Sequence, residues 1–122
     1  GCRMSRPGRS QEDIDQERRE HQLAALELRQ LREDIRSVLA EPVGRRVVWA
    51  FLQAMGVDAS AFNTNAMAQS RAIGRQEAAL WWLLAIRDNC PEREAQMRAE
   101  ANSALKRLQS QLQQPEESEH VD

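Results

Sequence analysis

The sequence predicts an all-α protein, a small helical bundle of about four helices with a long projecting N-terminal helix and a polar C-terminal helix. Apolar residues recur at steps of three and four, as in Leu28, Leu31, Ile35, Val38 and Leu39, which places them on one helical face. Prolines stand where helices should restart. Pro42 follows Glu41 and Pro91 follows Cys90, and proline suits a first helical turn while disfavouring helix at the residue before it. Aromatic residues make up 4% of the chain and tyrosine is absent, so burial must come from Leu, Ala, Val, Ile and Met at helical spacing.

Residues 1–10 carry Arg3, Arg6 and Arg9 around Pro7 and Gly8, with almost nothing to bury, and read as a flexible basic arm. Ser10 and Asp13 have the spacing of a capping box, so a helix starts near Gln11. Residues 11–22 form its polar arm, with Ile14 the one large apolar residue. From Leu23 the apolar pattern sets in and assigns residues 23–114 to a bundle domain. Continuous to Ala40, the helix would run about 45 Å at roughly 1.5 Å per residue, so part of it should project.

The second helix should run from Pro42 to Met55, with Val43, Val47, Phe51 and Met55 as one row, Val48 and Leu52 as another, and Gly56 as its C-terminal cap. Residues 57–65 read as a connection with Val57 and Phe62 folded back over the helix ends. A third, central helix should begin between Thr64 and Ala66 and end at Asn89, carrying Leu80, Trp81, Leu83, Leu84 and Ile86. In the fourth, Met97, Ala101, Leu105, Leu108 and Leu112 form a narrow seam that needs one partner surface. Pro115 stops this helix, and residues 115–122 read as a disordered acidic tail.

Nineteen acidic and 17 basic residues leave a net charge of -2, which argues against a surface that is electropositive all over. Lys106 is the single lysine, so the basic groups are almost all guanidinium forks able to grip carboxylate or phosphate with two hydrogen bonds. No apolar stretch has the length of a membrane span, and a disulfide between Cys2 and Cys90 is not expected.

Catalytic chemistry finds no foothold. Cys2, His21, Cys90 and His120 stand in four separate regions, without metal-ligand spacing, so no metal site is expected. Both histidines lie in polar segments, which removes the usual general base. Glu33 with Asp34, or Glu92 with Glu94, reads as a solvated face or a dipole-complementing turn rather than an acid–base pair. Gly44, Gly56 and Gly74 lack phosphate-loop spacing. No cofactor is expected, and the chain reads as a binding module rather than an enzyme.

Interaction residues are easier to nominate. Arg45 and Arg46 fall near the start of a helix, where the dipole does not favour cations, so they require carboxylate partners or a task outside the domain. Trp81 and Trp82 are adjacent on a helix and point about 100° apart, so they cannot both face one small core. Arg45, Arg46, Arg75, and Trp49 or Trp82 are the candidate partner contacts, since arginine and tryptophan dominate interface energetics.

The stretch Asp34 to Glu100 resembles a small domain family encoded among the virion structural genes of short-tailed bacteriophages, typified by a Bordetella podophage. The resemblance rests on "DIRSVLAEPVGRRVVWAFLQAMGV" (Asp34 to Val57), "GRQEAALWWLLAIRDNCPE" (Gly74 to Glu92), Met97 and Glu100. Pro42, Gly44-Arg45-Arg46 and Gly74-Arg75 are its distinctive parts. The family's usual Phe-x-x-Gly-Arg-Arg stands here as Arg71-Ala72-Ile73-Gly74-Arg75-Gln76, a departure at the second arginine. The resemblance implies a minor structural or ejected internal protein of the virion, present in the host cytoplasm during assembly. Its partners would be portal, adaptor or internal core proteins, met in multiple copies in a symmetric assembly. The alternative is a small nucleic-acid-binding or regulatory protein gripping phosphates through its arginine cluster, and acidic neighbours beside nearly every arginine speak against it.

Overall fold

The computed structural model describes residues 10–62 and 64–113, and within them the protein is built from four helices with no strand. These are α1 (Gln11–Ala40), α2 (Pro42–Ala54), α3 (Ala66–Asn89) and α4 (Glu92–Gln113). Apart from Ser10, the expected basic arm lies outside the described residues, as does the expected acidic tail from Pro115 onward. The chain divides into two compact units, one ending at Asp34 and the other beginning at Ile35.

In the first unit, Ser10 and Asp13 form the reciprocal capping box that their spacing predicts. The Asp13 N–H donates to Ser10 Oγ at 3.1 Å and the Ser10 N–H to Asp13 Oδ2 at 3.3 Å. Side-chain hydrogen bonds three or four residues apart follow along the helix, Gln11 to Asp15, Arg19 to Gln16 and Gln30 to Asp34. No described side chain of this unit is buried. Leu23, Leu28 and Leu31, which the periodicity assigned to the core, are exposed together with Leu26.

The second unit holds the core. α1 contributes Ile35 and Leu39, α2 Val48 and Leu52, α3 Ala79, Leu83 and Ile86, and α4 Met97, with Cys90 buried at the α3–α4 turn. Full burial of a side chain such as Leu39, Leu52 or Ile86 stabilises by about 1.5–3 kcal/mol, so these few residues carry much of the fold. On α2 the buried row is Val48 and Leu52. The longer row is turned out, with Val43, Val47 and Phe51 exposed and only Met55 packed against the core. A one-row rotation of a helix that is apolar nearly all round is what periodicity alone cannot fix.

The helix ends follow their local chemistry. Glu41 is extended ahead of Pro42. At the other end of α2, Gly56 adopts φ 73°, its N–H donates to the Gln53 carbonyl and the Val57 N–H donates to the Leu52 carbonyl, which completes a Schellman cap. Asn65 caps α3, its Oδ1 accepting from the Ala68 N–H at 3.0 Å. Gln76 of α3 donates its amide to the carbonyls of Gly56 and Ala59, pinning the α2–α3 connection. Val57 packs on the core as expected, whereas Phe62 is exposed instead of folded back over a helix end.

Candidate functional site

The residues that organise the surface start at the α1–α2 corner. A Cβ on Gly44 would stand 1.9 Å from the Val38 carbonyl oxygen, so only glycine lets α2 leave α1 this closely. One residue later Arg45 turns inward and is 5% exposed. Its Nη1 donates to the Leu39 and Ala40 carbonyls at 2.9 and 3.1 Å, satisfying the free acceptors at the end of α1. Its Nε and Nη2 make a two-pronged bridge to Glu100 of α4, at 2.8 and 2.9 Å. The hydrogen bond to Arg45 holds the Glu100 carboxyl below its ordinary range, and Glu100 in turn raises Arg45. One side chain thus ties α1, α2 and α4 together.

Between α2 and α4 lies a groove of about 350 Å³, floored by Trp49, Met97, Ala101 and Ala104 and bordered by Pro42, Arg46 and Arg107. Small residues on α4 open it and the bridge from Arg45 to Glu100 fixes its width. Arg46 and Arg107 are both exposed, and among the described residues neither has a hydrogen-bond or ion-pair partner, Arg46 acting on Glu100 through its charge alone. The Arg98 guanidinium lies 5.0 Å from the Trp49 ring centroid, a cation–π contact that steadies the indole. Arg98 is itself gripped by Asp58 at 3.1 and 3.2 Å and reaches Glu94 at 3.6 Å. Glu94 accepts two hydrogen bonds from Arg87 at 2.7 and 3.0 Å across the α3–α4 turn. Hydrogen bonds from Arg98 and from Arg87 respectively lower the carboxyls of Asp58 and Glu94.

The outer surface carries apolar rows on α2 and α3. Val43, Val47 and Phe51 lie on the side of α2 roughly opposite Arg45, Val48 and Leu52, and are 60%, 63% and 38% exposed. On α3, Leu80, Trp81 and Leu84 form a comparable outward stripe. Both helices therefore have two apolar faces, one spent on the core and one turned to solvent.

The five nominated contacts separate accordingly. Arg46 and Trp49 come together at the groove. Arg45 is withdrawn from any external role because it is buried with its donors committed inside the domain; of its two anticipated explanations, the carboxylate partner applies. Arg75 is exposed on α3 and does not line the groove. Trp82 packs against the core, and its neighbour Trp81, set edge-on to it with ring centroids 5.5 Å apart, is the exposed member of the pair. Arg107, Trp81 and the outward row of α2 were missed. The adjacency of two tryptophans signalled that one must leave the core, but the phase of the helix decides which.

Among the described residues no group of three or more His, Cys, Asp and Glu side chains is placed to hold a metal ion, and no helix is long and apolar enough to cross a membrane. Every buried polar side-chain atom there has a hydrogen-bond partner, so no orphaned group points to a missing ligand. Comparison with protein-family models, with characterised proteins and with solved structures finds no match to this chain.

Proposed function

We propose that the protein is a helical docking module of a short-tailed phage particle, a minor structural or ejected component that binds neighbouring virion proteins and does no chemistry of its own. The observation that carries the docking part is the second apolar face of α2. Val43, Val47 and Phe51 expose a row of large side chains that the core does not need, and such a face on a short helix is the signature of an interaction surface. The groove beside it supports the same reading, since an arginine-bordered slot with a tryptophan in its floor suits a partner that brings carboxylates and apolar side chains. The virion setting rests on the resemblance of Asp34 to Glu100.

Mass spectrometry of purified particles, before and after triggered DNA release, tests the setting. Presence before and loss after identifies an ejected protein, retention a fixed one, and absence from both removes the virion assignment. Val47→Asp and Phe51→Asp test the surface. Both variants should melt near the parent and be depleted from particles, and undiminished incorporation of both would refute the docking face. The phosphate-binding alternative is weakened, because Arg45 is committed to Leu39, Ala40 and Glu100 and cannot join Arg46 on a nucleic acid.

A further inference from the structure

The groove between α2 and α4 is lined by more positive charge than its own carboxylate balances. Three arginines and one acidic residue border it. Glu100 is taken by the two-pronged bridge from Arg45, which leaves Arg46 and Arg107 at the slot with no ion-pair partner among the described residues. These charges stand on the walls of the apolar floor itself. On α2, Pro42, Arg46 and Trp49 share one helical face, and on α4, Ala104 and Arg107 continue the row of Met97 and Glu100. Packed helices lie about 8–10 Å apart and a helix with its side chains is about 10–12 Å across, so a slot of about 350 Å³ between two of them takes an extended segment and not a third helix. The groove calls for a short acidic segment that brings one apolar side chain.

The sequence that follows α4 has that composition. Residues 114–122 carry Glu116, Glu117, Glu119 and Asp122, no lysine or arginine, and one aliphatic side chain, Val121. The lengths agree as well. Trp49 meets Arg98 and Arg45 meets Glu100, and Arg107 stands about 10 Å beyond Glu100 toward the C-terminal end of α4, at roughly 1.5 Å per residue. Arg46, next to Arg45, is level with Glu100. In an extended chain that advances roughly 3.3 Å per residue, Glu119 and Asp122 are also about 10 Å apart. A reversal at Gln114 and Pro115, with the return running back along α4, brings Glu119 level with Arg107, Asp122 level with Arg46, and Val121 over Ala101 and Ala104. We infer that residues 116–122 occupy the groove of their own chain. So short a tether holds the segment at millimolar effective concentration, which lets two ion pairs and one small apolar contact suffice. This deepens the docking reading and rests on it for its use, because a partner reaches Trp49 only by displacing the acidic segment.

Paramagnetic broadening in the full chain tests the inference. Cys90 is buried, so in a Cys2→Ser background a nitroxide can be attached through Ser118→Cys alone. At low salt the label should erase most of the amide signal of Ala101 and Ala104 and of the Trp49 indole signal. Neutralising the segment with Glu116→Gln, Glu117→Gln, Glu119→Gln and Asp122→Asn should restore most of that intensity, and so should Arg46→Gln with Arg107→Gln, two exposed positions whose variants circular dichroism should show folded. Salt at about 1 M, where screening acts within roughly 3 Å, should do the same. Arg46→Glu with Arg107→Glu, combined with Glu119→Lys and Asp122→Lys, should bring the broadening back. Undiminished signals in the labelled parent overturn the inference, since the groove is then open and awaits an acidic segment of another protein. Broadening that survives neutralisation reflects the tether alone and overturns it too. A labelled chain that broadens an unlabelled, isotope-enriched one at the same sites places the segment in a neighbour's groove, and that result also refutes it. Occupancy is read on the isolated chain and docking on particles, so an open groove in a protein found in virions loses only this inference, and a closed one in a protein absent from them loses only the virion assignment.

Discussion

Replacing Gly44 by alanine adds one methyl group at the tightest point of the α1–α2 corner. That carbon would sit 1.9 Å from the Val38 carbonyl oxygen, and separations under 3.0 Å are essentially never seen, so α2 must retreat by more than an ångström from the end of α1. The obstacle is backbone and cannot swing away as a side chain could. Retreat also stretches the Arg45 hydrogen bonds to Leu39 and Ala40, now 2.9 and 3.1 Å, beyond useful length. Overpacking of this kind costs about 3 kcal/mol or somewhat more. Alanine returns about 1 kcal/mol through its better helix propensity. The net loss of about 2 kcal/mol should lower the melting temperature by roughly 8–16 °C in a domain of this size. Gly74→Ala is the matched control, since its added methyl meets nothing within 4 Å in the middle of α3. It should stabilise by about 0.5–1 kcal/mol. Thermal melts followed by circular dichroism read both. A Gly44→Ala protein that melts at or above the parent would refute the steric reasoning.

Other outcomes follow from the side-chain network. Arg45→Met should lower the melting temperature, whereas Arg46→Met should leave it unchanged, and equal effects would show that the inward bridge to Glu100 is not what holds the corner. Glu100, Glu94 and Asp58 are held below their ordinary carboxyl values, so their contribution is present above the unfolded values of about 4 and is lost as pH falls through the folded ones. The melting temperature should therefore be flat from neutral pH to about 5.5 and decline below about 4.5, with Glu100→Gln removing part of the decline; a rise on acidification would contradict this. Cys90 is buried, and desolvation raises its thiol, so in a Cys2→Ser background native protein should react slowly with a thiol reagent and unfolded protein at once. Fast labelling of the native state would place Cys90 at the surface.

The helices, their order and most of their ends could be read from the chain because each is set by local chemistry: Ser10 with Asp13, Pro42, Gly56 and the residues around Asn65. The orientation of α2 could not. Val43, Val47 and Phe51 form as regular a row as Val48 and Leu52, and two apolar rows on one short helix leave the choice to the neighbours it packs on. The reach of the core along α1 was overestimated for a related reason, since Leu28 and Leu31 continue the phase of Ile35 and Leu39 whether or not anything in the same chain covers them. Periodicity reports an apolar face and is silent on whether anything covers it. Of the candidate site, Arg46 and Trp49 were legible. Arg45 was recognised as anomalous at a helix start, but its partner Glu100 lies 55 residues away, beyond any local pattern.

α2 also has consequences for how freely this sequence can drift. Pro42 and Gly44 make the corner, Arg45, Val48 and Leu52 look inward, Arg46 and Trp49 border the groove, Val43, Val47 and Phe51 look outward, and Gln53 holds Asp58. Hardly a position on this helix is spare. Under the docking proposal, a scan of all single substitutions, scored for folding and for particle incorporation, should find α2 intolerant around its whole circumference, with folding lost on one side and assembly on the other, while the polar positions of residues 11–22 accept most changes under both selections.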